Sequence, residues 1–247
     1  MSELFVERDG PALILTLNRP DKMNALSATL VEALLEQVAE AGRAGIRLLV
    51  LKGNGRNFSA GFDFGGYEDQ SEGDLVLRFV LVEQLLQAVR HAPFETMALA
   101  QGRNFGAGVD LICSCGRRIG DPDATFRMPG LAFGLVLGTR RYAERVGEAR
   151  ARAVLGDGLV FDADEALQDG FLTGRVPIPE WPEAVANAVE AACRLSPEAA
   201  SALYGATTAD TRAQDLADLV TSAARPGLKA RIGAFRAQTS SHREKRP

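Results

Sequence analysis

Soft metal ligands and redox-active side chains are scarce in this chain: 247 residues carry two histidines, His91 and His242, and three cysteines, Cys113, Cys115 and Cys193. An odd cysteine set with a C-x-C core, and almost no histidine to complete it, fits neither a zinc site nor a disulfide framework. The expectation is a reduced, cytoplasmic protein with no metal. Positive charge is not in excess either. A formal charge of −4 lacks the basic footprint that phosphate recognition leaves on a dedicated nucleic-acid binder. Long apolar runs are missing as well: the stretch from Leu75 to Leu86 is interrupted by Arg78, Glu83 and Gln84, too soon for a membrane span. The N-terminal residues show no signal-peptide pattern.

What the chain does have is a hydrophobic fraction of 46%, enough to bury a full core as one domain with room for a smaller appendage. It also has an internal repeat. Gly55-Arg-Asn-Phe-Ser-Ala-Gly-Phe-Asp-Phe64 returns as Gly102-Arg-Asn-Phe-Gly-Ala-Gly-Val-Asp-Leu111, 47 residues later. Each copy follows an apolar β-type run, Arg47 to Lys52 and Thr96 to Ala100, and so sits on a strand-to-loop or strand-to-helix corner. An Ala-Gly corner lets a ligand atom approach the main chain closely. Two such corners on adjacent repeats can aim two N–H donors at one oxygen, the arrangement of an oxyanion hole.

Glu3 to Arg8 and Ala12 to Leu17 flank Asp9-Gly10 and predict a β-hairpin. Ser27 caps a predicted amphipathic helix over Leu30, Val31, Leu34, Leu35 and Val38, ending near 42–45, and Leu48 to Leu51 is a buried strand. Tyr67 to Asp74 is expected to be a mobile loop, followed by a helix from Leu75 to Val89. Val109 to Cys115 is a buried helix, Arg118-Ile119 and Thr125 to Arg127 are strands about the turn Asp121-Pro122-Asp123, and from Thr139 to Leu155 the pattern is helical. Asp162 to Asp169 is a capped short helix stopped by Gly170, and Leu172 to Val176 returns as a strand. Pro177 to Pro182 reads as a stiff linker. Helices follow, divided at Ser196-Pro197 and Pro226-Gly227, with a frayed polar end over 240–247. The domain reading is therefore a core over 1–178 and a helical region over 179–247.

Four segments in order, Leu17-Asn-Arg-Pro-Asp-Lys-Met-Asn-Ala-Leu26, Phe58-Ser-Ala-Gly-Phe-Asp63, Phe105-Gly-Ala-Gly-Val-Asp-Leu111 and Asp162-Ala-Asp-Glu-Ala-Leu167, closely resemble the enoyl-CoA hydratase/isomerase, or crotonase, family. The resemblance covers about residues 4 to 180. It implies an α/β fold, a spiral of repeated ββα units with a C-terminal helical region. It further implies a homo-trimer or dimer of trimers, and an acyl-CoA ligand in which coenzyme A arrives as part of the substrate rather than as a resident cofactor. Reactions of this family build negative charge on a thioester oxygen, and fixed N–H donors in a dry site lower that barrier. By similarity the donors are the main-chain N–H groups of Phe62 and Ala107. Both depart from the smaller residue and the glycine usual there, departures that narrow the acyl pocket while keeping each donor. Lys22, Ala25, Ala60 and Asp63 fall on the CoA-contacting segments. Lys22 has a second reading, a solvated loop lysine.

Family hydratases share one water between two glutamates. Asp110 stands at the first of these positions, one methylene short, and Phe126-Arg-Met-Pro-Gly130 places Gly130 at the second; no carboxylate follows until Glu144. The reading is an acyl-CoA enzyme of hydratase or isomerase type with at most one acid/base residue. The alternatives are an acyl-CoA-binding paralogue without turnover, or a decarboxylase or other enolate chemistry that needs no second carboxylate. Asp110 is either a lone base or a first-turn aspartate favoured by the helix dipole. Arg127 and Arg140 offer charge to a carboxylate-bearing substrate, Arg127 otherwise being a sheet-edge arginine in an ion pair. Met128, like Phe133, is core or pocket wall. His91 reads as a dipole-stabilised helix C-terminal histidine and Cys113 and Cys115 as packing residues. Gly53-Asn-Gly55 lacks the third glycine of a dinucleotide fingerprint.

Overall fold

The structure, a computed structural model, describes residues 2–244, with side chains described through Gln238. β1 (Leu4–Asp9) and β2 (Ala12–Leu17) form the expected hairpin, Leu4 opposite Leu17 and Asp9 opposite Ala12. β2 then pairs in parallel with β3 (Leu48–Gly53), β3 with β4 (Glu95–Ala100), β4 with β6 (Arg117–Gly120) and β6 with β9 (Gly174–Arg175). A second, smaller sheet holds β5 (Arg103–Phe105), β7 (Thr125–Arg127) and β8 (Val160–Asp162). Successive turns of chain thus contribute one strand to each sheet, β4 then β5, β6 then β7, which is the spiral expected of repeated ββα units.

The β3 sequence Leu-Leu-Val-Leu is apolar without alternation because both faces of this parallel sheet are covered. Leu49 and Leu51 face the main core with Leu15, Leu30, Leu34 and Phe79, while Leu48 and Val50 pack with Met97, Leu99 and Trp181 on the other side. Trp181 opens α7 (Trp181–Cys193) and donates its ring N–H to the Val176 carbonyl at 2.9 Å, so the 177–182 segment delivers a helix onto the back of the sheet. The front carries α1 (Ala28–Arg43), capped by Ser27, and α2 (Glu72–Arg90). α3 (Ala107–Ser114) is buried along its whole length.

Several expectations are refined. The 67–74 segment is not an open loop: Tyr67–Asp69 makes a 3₁₀ turn and Ser71 caps α2, with Ser71 and Asp74 exchanging side-chain and backbone hydrogen bonds. The polarity that suggests a loop is a capping box. The 139–155 stretch is two helices, α4 (Thr139–Val146) and α5 (Glu148–Asp157), because Gly147 takes φ 79° between them. The 172–176 strand narrows to Gly174–Arg175, although Thr173 N and Val176 N still donate to the Arg118 and Gly120 carbonyls. α6 (Ala163–Gln168) has the expected Asp162 cap. In the C-terminal region α8 (Pro197–Thr207) and α9 (Arg212–Ala223) are separated by a further break at 208–211, and α10 (Leu228–Glu244) is helical where fraying is expected from 240; residues 245–247 lie outside the described residues.

The C-terminal helices are locked on by charge. Glu83 of α2, fully buried, receives both guanidinium nitrogens of buried Arg141 on α4, and Arg141 also reaches Asp215 of α9 at 3.1 Å. Breaking a buried pair from one side leaves an uncompensated charge, which costs about 3–5 kcal/mol. Glu83→Leu is therefore expected to destabilise by that amount in urea unfolding. The double variant Glu83→Leu/Arg141→Leu should recover more than half of the loss.

Candidate active site

The two copies of the repeat are hydrogen-bonded to each other. Phe58 N donates to the Gln101 carbonyl at 3.0 Å and Phe105 N to the Ser59 carbonyl at 3.1 Å. Asn57 and Asn104, the same position in each copy, work reciprocally: Arg103 N donates to Asn57 Oδ1 at 2.8 Å and Ser59 N to Asn104 Oδ1 at 3.4 Å. Asn104 Nδ2 donates onward to the Gly102 and Thr125 carbonyls. A third asparagine pins the preceding segment. Buried Asn24, at φ 53°, donates to the Asn54 and Asn57 carbonyls and accepts from Arg19 N. Gly61, at φ 79°, is where the corners touch; a Cβ there would sit 2.3 Å from the Phe105 carbonyl oxygen and 2.9 Å from Ala107 N.

Above the corners lies a pocket of about 360 Å³ lined by Phe62, Phe64, Phe79, Phe133, Leu137 and Phe235 among others, with Ala60, Ala107, Asp110, Arg127, Met128 and Gly130 in the wall. Phe62 and Ala107 are buried, and neither main-chain N–H donates to a protein acceptor among the described residues. Ala107 N is a first-turn helix N–H, one of those a helix leaves unpaired. The Phe62 ring stacks on Phe79 at 4.0 Å, with the Arg78 guanidinium 4.3 Å above it. Arg78 also donates to the Asp63 carbonyl at 2.7 Å, so one side chain holds the peptide and ring of the first corner.

Asp110 is the pocket's carboxyl group and it is alone: 3% exposed, with Oδ1 buried and unpartnered. Burial pushes its pKa well above the usual carboxylate value, Arg141 pulls the other way, and Glu83 adds to the rise. Burial thus favours the protonated form of this group, which the dipole account of a first-turn aspartate does not supply. Gly138 makes room for it, since at φ 64° a Cβ would fall 1.9 Å from Asp110 Oδ1.

Asp63, the same position in the first copy, has the opposite surroundings. Burial tends to raise its pKa, but the Gly65 N–H and Arg19 outweigh it and lower the value. Its carboxylate pairs with Arg19 at 2.8 Å and accepts from Gly65 N at 2.8 Å.

The other expected residues scatter. Lys22 is exposed at the end of a 3₁₀ turn over Pro20–Lys22, Ala25 is buried with its carbonyl accepting from Arg19 at 2.6 Å, and Ala60 reaches the pocket wall. Arg127 makes no ion pair among the described residues; its Nε donates to the Gly158 carbonyl at 3.0 Å while its own carbonyl accepts from Gly106 N. Arg140 is not at this pocket, being paired with Asp215 at 2.9 Å and Asp218 at 2.8 Å. Met128 is pocket wall, and at Gly130 a Cβ would meet only the Leu135 carbonyl, at 3.4 Å. His91 does end α2, but burial and then Arg212 lower its pKa, so the neutral ring is favoured over a dipole-stabilised cation.

A model of the enoyl-CoA hydratase/isomerase family matches residues 8–232. The chain belongs to the enoyl-CoA hydratase/isomerase family. A crystal structure of a putative enoyl-CoA hydratase/isomerase from Bordetella parapertussis superposes with a TM-score of 0.95 at 52% identity, covering 96% of this chain and 99% of that one. A probable enoyl-CoA hydratase, echA6, of Mycobacterium tuberculosis is 35% identical over 64% of this chain; the match spans 65% of that protein's length. The ethylmalonyl-CoA decarboxylase of Bos taurus is 29% identical over 72% of this chain and 60% of its own length. The fold of this family member is the crotonase fold. Sequence reading missed the residues that hold the corners together, Asn24, Asn57, Gln101 and Asn104, although the repetition of Asn57 as Asn104 was a signal. Phe79 and Phe235 carried none, since only the folded chain brings them to the pocket.

The state of Asp110 is open to measurement. Its folded pKa lies above the unfolded value of about 3.9, so native protein keeps a proton the unfolded chain loses. This contribution is fully present below the unfolded pKa and is lost as pH rises through the folded one. Asp110→Asn, neutral at every pH, should flatten the decline in urea midpoint as pH rises above the unfolded value of about 3.9. Parallel profiles for variant and wild type would refute a neutral Asp110.

Proposed function

We propose that this protein processes an acyl-CoA thioester as an enoyl-CoA hydratase/isomerase-type enzyme, holding the thioester oxygen on the N–H groups of Phe62 and Ala107. The observation that carries the reading is a pair of acceptor-free main-chain donors on two corners that touch at Gly61, at the mouth of an apolar pocket. Aromatic walls exclude water and strengthen both hydrogen bonds as charge develops on the oxygen. Asp110 is the group that moves a proton. In hydration a water oxygen bonds to the β-carbon, the double-bond electrons pass to the thioester oxygen as an enolate, Asp110 delivers its proton to the α-carbon, and the resulting carboxylate takes up the proton that the added water releases. Coenzyme A, as part of the substrate, would lie along the segments that carry Lys22, Ala25, Ala60 and Asp63, and Arg127, Met128 and Gly130 would meet the acyl portion.

A second reading, decarboxylation, is favoured by the same neutral acid and by the missing carboxylate at Gly130. Water addition needs a base to activate the water, whereas loss of carbon dioxide from a malonyl-type thioester does not. The carbon–carbon bond breaks, its electron pair enters the thioester as an enolate, and Asp110 returns one proton to the α-carbon. The similarity to a protein named ethylmalonyl-CoA decarboxylase supports this reading.

Purified protein given crotonyl-CoA and longer enoyl-CoAs, with loss of the conjugated-thioester absorbance followed, tests hydration. Carbon dioxide release from alkylmalonyl-CoA tests the second reading, and calorimetry with saturated acyl-CoA reads binding alone. Asp110→Asn should lower the observed turnover by roughly 10²–10⁴-fold with acyl-CoA binding kept. Turnover unchanged in that variant removes Asp110 from the chemistry, binding without any turnover supports a non-catalytic role, and no binding of any CoA ester ends the proposal. Gly130→Glu should raise crotonyl-CoA hydration toward the roughly 10²-fold that one positioned acid/base group supplies, since the new Cβ would meet only the Leu135 carbonyl oxygen, at 3.4 Å.

A further inference from the structure

At the end of the sheet where β4 begins, opposite the end that carries the acyl pocket, a cavity of about 300 Å³ opens between α2, α3, α4 and α8. Its walls include Arg90, Arg145, Glu95, Ser114, Tyr204 and Thr208. The two arginines are not equally satisfied. Arg90 pairs with Glu144 at 3.0 Å, but Arg145 has no carboxylate partner among the described residues. Its Nε is buried without an acceptor, and its Nη2 reaches only the Cys115 carbonyl, at 3.4 Å.

The surrounding charge does not make up the deficit. Glu95, the acid in the wall, is committed to Arg117 at 3.3 Å and accepts from Thr96 N. Behind the cavity, buried Arg118 is bound by the carbonyls of Phe171, Cys115, Gly116 and Gly170 and by no carboxylate. Burial, and then Arg145, push Arg118 down to about 10, and the same two causes lower Arg90. Of the three neighbouring guanidinium groups, only Arg90 has a carboxylate partner among the described residues, Glu144. Arg145 stands in the last turn of α4, where the helix dipole suits a cation. The dipole accounts for the charge but leaves the Nε donor without an acceptor.

We propose that this cavity is a binding site for a phosphate-type oxyanion, held by the forked N–H groups of Arg145 and flanked by Arg90, with hydroxyl groups at its mouth. A guanidinium edge presents two parallel donors at the spacing of two oxygens on one phosphorus, and such charge-assisted bonds are about twice as strong as neutral ones. The site is separate from the acyl pocket, and its occupancy does not depend on what that pocket turns over.

Titrating inorganic phosphate into the full-length protein, against sodium chloride at equal ionic strength, tests this. The unfolding midpoint should rise saturably by about 3 °C with phosphate alone, with one equivalent bound by calorimetry. Arg145→Gln should weaken binding at least tenfold. Arg145→Lys, which keeps the charge but loses the fork, should fall between the two. A shift that chloride reproduces overturns the proposal, as does one that Arg145→Gln retains, the result expected if phosphate sits at the acyl-CoA segments instead. No phosphate-dependent shift at all overturns it equally.

Discussion

Everything at the acyl pocket depends on one set of hydrogen bonds, those that tie the two copies of the repeat to each other. A single strand-to-helix corner presents N–H groups in a direction set by its own chain alone. Two corners cross-linked through Asn57 and Asn104, with Asn24 bracing the first and Gln101 donating to the Gly53 and Gly55 carbonyls, have their relative position fixed by side chains that are mostly buried. An electrostatic site of this kind works only if its dipoles need not reorganise when charge appears. Asn24 and Asn104 are also hard to replace, because each acts as donor and acceptor at once, and a buried peptide group left unpaired costs about 1–3 kcal/mol.

The repeat further shows how little a motif says about the charge of its residues. Asp63 and Asp110 take the same place in two nearly identical stretches, yet one is a paired, half-buried carboxylate and the other a buried acid whose Oδ1 has no partner and whose pKa is raised by burial. The difference lies in what packs against them. Arg19 and the Gly65 N–H stand beside Asp63, whereas Asp110 faces Gly138 and apolar walls while the cation that acts on it, Arg141, is already engaged by Glu83 and Asp215. Duplication supplied the same residue twice, and the later folds of the chain set two different environments around it.

That contrast marks what was legible in advance. The hairpin, the capped α1, the buried β3 and the two corners are local or periodic features, and apolar pattern, Asp9-Gly10 and Ser27 reveal them. The family and its fold were equally visible in four short segments. The 67–74 turn was misread because Ser71 and Asp74 look polar before they look like a cap, and the 139–155 helix because one glycine at positive φ interrupts a helical pattern without altering its composition. Long-range pairing was out of reach. Nothing near Arg140 indicates that Asp215 and Asp218, some 75 residues on, would claim it, nor that Phe235 would return to the pocket.

The Asp110 environment carries a cost that bears on function. An unpartnered buried oxygen lowers stability, and here a glycine at φ 64° keeps the space it needs. A chain under selection for stability alone would place an apolar residue at this position, since Ile112 and Leu111 beside it are buried without penalty. Retaining a carboxyl in a dry wall, close to two unpaired N–H donors, is intelligible if the proton it holds is transferred. The same burial that makes the acid expensive raises its pKa toward the working pH, where proton transfer is most effective. On the proposed chemistry, stability is given up at the one side chain for which losing charge would be useful.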